Sequence, residues 1–164
     1  SYVCVFPVTV VDGEELVLVG RLENAPRKFL IDLGGYSKPG ESAGKAAVRL
    51  LDEATLGLLG SRNAIGKKVR VKNRERVPGV GFVWKLNVSP LIQRVVIEQH
   101  ASVSAFLRRE AQYEPKLKRI AWAKTSELLR GKKGADRLIS LVRHFRCVAD
   151  ASAGANPGAP QAPQ

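Results

Sequence analysis

Five residues in the first third of the chain have types and spacing that could do chemistry: Gly35, Glu41, Arg49, Asp52 and Glu53. They lie in residues 34–59, GGYSKPGESAGKAAVRLLDEATLGLL, which read as a tight glycine turn, a loop and an amphipathic helix. A helix entered through a glycine loop can bind phosphate, or it can present carboxylates to a divalent metal and an attacking water. Mg²⁺ takes hard oxygen ligands, so the second chemistry needs several carboxylates on one helix face. Asp52 and Glu53 are sequence neighbours and stand about 100° apart around a helix, so they can flank a site without forming a one-face cluster.

The elements that position these residues follow from local pattern. Pro39 and Gly40 interrupt regular structure, and Ser42 is a suitable N-cap for the helix that follows. Ala43, Ala47, Leu50, Leu51, Ala54 and Leu58 recur at helical spacing as one apolar stripe, with Lys45, Arg49, Asp52 and Glu53 on the other side. Gly57 and Gly60 end the helix. Upstream, residues 2–11 are rich in β-branched and aromatic types and predict a strand, with Pro7 at a bulge or an edge position. Asp12 and Gly13 signal a turn, residues 15–21 predict the returning strand, and residues 29–33 a short third strand that delivers the chain into Gly34 and Gly35.

Downstream lies the most basic segment. Between Arg62 and Arg76, seven cations face the single acid Glu75. Lys68, Val69, Arg70, Val71 and Lys72 alternate, which predicts a strand with both valines inward and three cations outward. That row is either a solvated strand face or a contact to a phosphate backbone. Lys67, Lys68, Arg70, Lys72, Arg74 and Arg76, with Lys132, Lys133 and Arg143 further on, are the candidate nucleic-acid or partner contacts. Residues 80–88 predict a strand around Trp84, residues 91–97 are a second apolar run, residues 101–112 predict a short helix, and residues 118–123 a final strand around Trp122. Thr125 is expected to cap a short turn, Gly131–Gly134 to form a basic loop, and Asp136 to cap the last helix. One domain, residues 1–149, is expected, followed by an Ala/Gly/Pro-rich tail, residues 150–164, disordered unless a partner holds it.

Composition bounds the function. The 164 residues carry 27 Lys and Arg against 15 Asp and Glu, a net charge of +12. A surplus of this size predicts attraction to a polyanion, usually nucleic acid. No apolar run reaches the roughly 18 residues of a membrane span. Cys4 and Cys147 are too few for a disulfide framework or a zinc site and read as reduced core thiols. His100 and His144 have no Cys or carboxylate at metal spacing and read as surface or half-buried residues. The chain opens at Ser1 directly in strand-like sequence, so a leader is expected to have been removed or left out.

The run around Glu41 resembles the signature of the Nudix hydrolases: Gly, five residues, Glu, seven residues, Arg-Glu, an aliphatic residue, any residue, Glu-Glu, any residue, Gly. Gly35, Glu41, Arg49, Leu51 and Glu53 match it, whereas Leu50 and Ala54 stand where two helix glutamates belong, and Leu56 stands at the later glycine. The resemblance implies an α/β/α sandwich of the α/β (α+β) class, with a mixed sheet and this helix packed on it. It also implies a Glu41–Arg49 ion pair tying loop to helix, and a divalent metal held by the helix carboxylates in active members. With Leu50 and Ala54 in two ligand positions, the expectation is no enzyme, no catalytic residue, no metal and no cofactor.

KPGES, AAVRLL, WKL, IAWAKTSELL and LVRHF together are similar to the Nudix-like proteins of the mitochondrial large ribosomal subunit. That resemblance spans residues 29–148 and is weaker over residues 91–115. It implies a non-catalytic structural constituent of the large subunit in the mitochondrial matrix, with ribosomal proteins and rRNA as partners and no membrane. An active Nudix hydrolase on a nucleoside diphosphate-linked or RNA-end substrate, and a free organellar RNA-binding factor, are the alternatives.

Overall fold

A computed structural model describes residues 1–22 and 29–155, with side chains described as far as Arg146. Among these residues the chain builds a seven-stranded mixed sheet with helices on both faces, as the α/β/α sandwich requires. Its long central strand is β1 (Tyr2–Val11), which turns through Asp12 and Gly13 into β2 (Glu14–Leu22). Both turn residues have positive φ, +51° and +77°, the geometry of a two-residue hairpin whose twist matches its strands. Strands β3 (Phe29–Ile31) and β4 (Gly35–Tyr36) follow, then helix α1 (Ala43–Thr55) and the short helix α2 (Arg62–Gly66). Strands β5 (Glu75–Val77) and β6 (Gly81–Asn87) lead to helix α3 (Pro90–Arg109), strand β7 (Arg119–Lys124), and helices α4 (Thr125–Arg130) and α5 (Asp136–Ala155).

The sheet runs β3-β2-β1-β6-β5, with β4 added to β1 and β7 to β2. Among the ladders between the described strands, only β1–β6 is parallel, Val3 opposite Phe82 through Val8 opposite Asn87; a single parallel bridge also joins Leu30 to Gly134. Pro7 falls between the ladder to β4, which ends at Val3, and the ladder to β2, which begins at Val8. Pro7 is paired with Leu86 of β6, so it lies inside a central strand and not at the expected bulge or edge; its missing N–H is tolerated because the other flank of β1 has no ladder partner at this position.

Alternation along β1 separates two cores. Val3 and Val5 pack with Leu50, Leu51, Trp84 and Leu86 beneath α1, whereas Cys4, Phe6 and Val8 pack with Leu138, Leu141 and Phe145 of α5. Phe6 stacks on Phe145 with ring centroids 5.1 Å apart. Helix α1 begins where its cap predicts: the Ser42 hydroxyl accepts from the Lys45 N–H, and Leu56 closes the helix in the left-handed conformation. Ala46, Ala47, Leu50, Leu51 and Ala54 form its buried face.

Several expectations are corrected. Residues 68–72 are not a strand: the chain leaves α2, bonds Lys68 and Val69 back to the Ile65 carbonyl and makes a 3-10 turn at Val71–Asn73. Val69 is buried, but Val71 is 74% exposed, so only one of the two valines faces inward. Residues 90–109 are one 20-residue helix, started by Ser89 as N-cap with Pro90 in the first turn. The Thr125 hydroxyl donates to the Glu15 carbonyl instead of capping α4, and Asp136 is the first helical residue of α5. Helix α5 reaches Ala155, five residues past the expected start of the tail. Residues 156–164 and the Cys147 side chain lie outside the described residues. His100 is buried, 1% exposed, where a surface or half-buried residue was expected.

Candidate functional site

The Gly34–Gly35 turn is held from below by a buried carboxylate. Asp32 accepts hydrogen bonds from the Tyr2 hydroxyl and from the Gly34 N–H, and only 7% of Asp32 is exposed. Arg137 lies over the Tyr2 ring at 3.9 Å, and Tyr36 meets that ring edge-on. Burial and the Asp32 charge push the Tyr2 hydroxyl pKa far above the ordinary tyrosine range, so Tyr2 stays a donor.

Above the turn, Glu41 and Arg49 make the tie that the resemblance implies. Arg49 Nε donates to Glu41 Oε2 and Nη2 to Oε1, both at 2.9 Å, a two-point clasp of one carboxylate. The Lys38 N–H donates to the same carboxylate at 3.1 Å, and Arg49 reaches the Tyr36 carbonyl at 3.3 Å. Hydrogen bonds from Arg49 and the Lys38 N–H hold the Glu41 carboxyl down to about 2. Glu53 takes a third Arg49 nitrogen at 3.5 Å, one helical turn on. Loop, turn and helix are thus fastened through one guanidinium.

The carboxylates that a divalent ion would need are committed elsewhere. Glu41 and Glu53 are bound by Arg49, and Asp52 pairs with Arg62 at 2.8 Å. Leu50 is buried against Gly35, and Ala54 is buried with its carbonyl accepting from the His100 Nε2–H at 3.0 Å. Among the described residues no three His, Cys, Asp or Glu side chains are grouped to hold a metal ion. The side chains present do not fit the metal that the resemblance implies.

Beside this unit runs a cleft of about 920 Å³. Its walls carry Lys45, Arg49, Arg62, Arg70 and Arg74, with Glu41 as the acid among its lining residues and Trp84 on its floor. The Trp84 indole N–H donates to the Arg70 carbonyl at 2.8 Å, so this tryptophan is a core residue that fixes the cleft wall. Arg74 lies 4.0 Å over the Phe82 ring. An Arg packed on an aromatic face keeps its N–H donors at the ring edge, pre-ordered for an anion.

The structure divides the candidate cations. Arg70 and Arg74 line the cleft; Lys67, Lys68, Lys72 and Arg76 are exposed near it but outside its lining. Lys132 and Lys133 line a separate hollow with Arg21 and Glu127, on a loop stitched to β3 by the Leu30–Lys133 and Ala135–Leu30 backbone bonds. Arg143 is exposed on α5, across the sheet from α1. Lys45 and Arg62 complete the cleft but were not singled out by sequence; Arg62 belonged to the basic run, while Lys45 carried no signal beyond its place in the first turn of the helix.

No family model matches the chain, and no curated protein sequence matches it. Solved structures do. A C. elegans Ap4A hydrolase in a binary complex covers 92% of this chain and 99% of its own at 11% identity, with a TM-score of 0.50. A second structure of C. elegans Ap4A hydrolase covers 90% of this chain and 96% of its own at 12% identity, again with a TM-score of 0.50. A mutT/nudix family protein from Listeria innocua covers 93% and 94% at 18% identity and a TM-score of 0.49. The fold is therefore the Nudix fold. This overturns the expectation of no enzyme: the fold is one that these neighbours use as hydrolases, and Leu50 and Ala54 are not sufficient ground to deny activity. At this identity the likeness establishes the fold, and neither a substrate nor a reaction of this chain.

Proposed function

We propose that this chain is a Nudix-fold constituent of the large subunit of the mitochondrial ribosome, working in the mitochondrial matrix, where it joins neighbouring ribosomal proteins to rRNA phosphates. The observation that carries the reading is the cleft beside α1, with Lys45, Arg49, Arg62, Arg70 and Arg74 around the single acid Glu41. A net charge of +12 supports it, because a surface of one sign is matched by a polyanion such as rRNA. No helix among the described residues is long and apolar enough to cross a membrane. The similarity of KPGES, WKL and IAWAKTSELL to the Nudix-like ribosomal proteins supplies the assembly.

Co-sedimentation of the tagged protein with large ribosomal subunits after a high-salt wash tests the proposal, and retention on the subunit is the expected result. Recovery only in the free soluble fraction would sink it, and RNA recovered with that fraction would favour a free organellar RNA-binding factor.

A second reading is favoured by the fold neighbours: a Nudix hydrolase acting on a nucleoside diphosphate-linked or RNA-end substrate. It is tested by incubating the protein with Mg²⁺ or Mn²⁺ and a panel of such compounds. Turnover that disappears in Glu53→Gln establishes this reading, and no turnover across the panel removes it.

A further inference from the structure

The cleft beside α1 combines two chemistries in one concave space. Five cations border it, while Val48, Val69 and Trp84 give it an apolar interior. Val71 also lines it with 74% of its surface exposed, an apolar side chain left open to whatever enters. Phosphates alone would use the cations and not the valines. A volume of about 920 Å³ is that of a pocket which encloses a small molecule, so an unpaired nucleotide fits and a duplex does not.

The arginines of the cleft are not equivalent. Arg49 clasps Glu41, Arg62 pairs with Asp52 at 2.8 Å, and Arg70 Nε donates to the Lys67 carbonyl at 2.9 Å. Arg74 pairs with no carboxylate among the described residues. Its guanidinium carbon lies 4.0 Å from the centroid of the Phe82 ring, and Arg74 lines the cleft whereas Phe82 does not. The ring therefore backs the guanidinium on the side away from the cleft and leaves its other side facing in. A guanidinium is a flat, delocalised cation, so a base can stack on the open side while the N–H donors at its edge reach a phosphate. The Arg74 N–H donates to the Val71 carbonyl at 3.1 Å and the Trp84 indole N–H to the Arg70 carbonyl, which fixes the turn that carries Arg74.

We infer that the cleft recognises unpaired RNA, with a base stacked on Arg74 against Phe82 and covering Val71. This rests on the reading of the cleft as an RNA site and adds which form of RNA it takes. A duplex has its base faces already stacked and would meet the cleft through its phosphates alone.

Fluorescence anisotropy over a salt series tests it on the full chain, with a labelled single-stranded RNA of mixed sequence and the same strand annealed to its complement. Stacking of a base on a side chain changes affinity by about tenfold or more. Wild type is therefore expected to bind the single strand at least about tenfold more tightly than the duplex. Arg74→Lys keeps the charge and loses the plane, so it should lose most of that preference with an unchanged salt slope. Arg74→Tyr keeps a stacking face and loses the charge, so it should retain the preference and lower the slope by about 0.7. Arg74 is exposed, so both variants are expected to fold. Equal affinity of wild type for strand and duplex would overturn the inference and leave the RNA reading standing, as would a full preference in Arg74→Lys. Binding of neither RNA would remove the RNA reading and this inference together. Displacement of the strand by poly-glutamate as readily as by unlabelled RNA would assign the cleft to an acidic protein and overturn the inference as well.

Discussion

The imidazole Nε2 of His100 lies 3.0 Å from the Ala54 carbonyl oxygen, joining the middle of α3 to the last turn of α1 across 46 residues of sequence. Helix ends leave their final carbonyls without intrahelical partners, and a ring N–H supplies one here. Because Ala54 has no side chain beyond Cβ, the ring approaches the backbone directly.

Truncation of His100 to Ala should destabilise the protein by about 2–4 kcal/mol, through both the cavity and the abandoned carbonyl. Burial lowers the His100 pKa below 6.5, so its neutral form is favoured by folding. The unfolded chain then binds the proton more readily, and the His100 contribution is complete above pH 6.5 and declines as pH falls below it. Urea midpoints measured from pH 7.5 to 5 should fall for wild type and fall less for His100→Ala.

Glu41 acts in a lower window. Its carboxyl titrates near 4.5 unfolded and about 2 folded, so its stabilisation is present above pH 4.5 and lost as pH drops toward 2. Glu41→Gln should lower the thermal midpoint at pH 7 and flatten the pH dependence between 4.5 and 2. Differential scanning calorimetry across that range checks both signs, and a parallel curve for the variant would remove the Arg49 clasp as its cause.

The two glycines of the turn should respond differently to alanine. A Cβ at Gly34 would fall 2.6 Å from the Val3 carbonyl oxygen and 2.8 Å from Asp32 Oδ2. At Gly35 the nearest atom is a movable Leu50 methyl at 2.9 Å. Gly34→Ala should destabilise by more than about 2 kcal/mol and Gly35→Ala by less, since overpacking is relieved most easily by a side-chain end. Guanidinium midpoints of the two variants rank them.

If the cleft holds RNA, then Arg62, Arg70 and Arg74 changed together to Gln should reduce the slope of log affinity against log salt by about two to three units. Filter binding of structured RNA between low and moderate salt measures it. The triple change of Lys132 and Lys133, on the loop beside β3, and Arg143, on α5, to Gln should leave the slope at the cleft unaffected. Equal loss in both variants would extend the interface beyond the cleft.

How much of this was legible depended on whether the partners were local. Ser42, the stripe of Ala47, Leu50, Leu51 and Ala54 and the Asp12-Gly13 hairpin are each specified within a few residues and stand as expected, whereas Leu58 falls beyond the helix end at Thr55 and Ala46 joins the buried face. The Glu41–Arg49 pair was visible because its spacing matched a known signature. Residues 68–72 misled because alternation over two valines is also compatible with a turn; Ser61 as a cap and Gly66 at the end of α2 were the overlooked signals. Ser89 with Pro90 likewise marked the start of the long helix α3. The roles of His100 and Trp84 depend on contacts from distant segments, and no local pattern carries them.

The parallel ladder between β1 and β6 also governs how the chain acquires its structure. Val3 pairs opposite Phe82 and Val8 opposite Asn87, so the middle of the sheet closes a loop that contains β2 to β5 and the first two helices. Such closure gives up chain entropy before any contact rewards it, which slows folding relative to hairpin or helix formation. During synthesis β1 and β2 can pair at once as a hairpin, but one flank of β1 stays open until β6 emerges. Assembly of this protein is therefore timed by its middle segment, and a nascent chain paused before residue 81 presents an open β1 edge for a chaperone to cover.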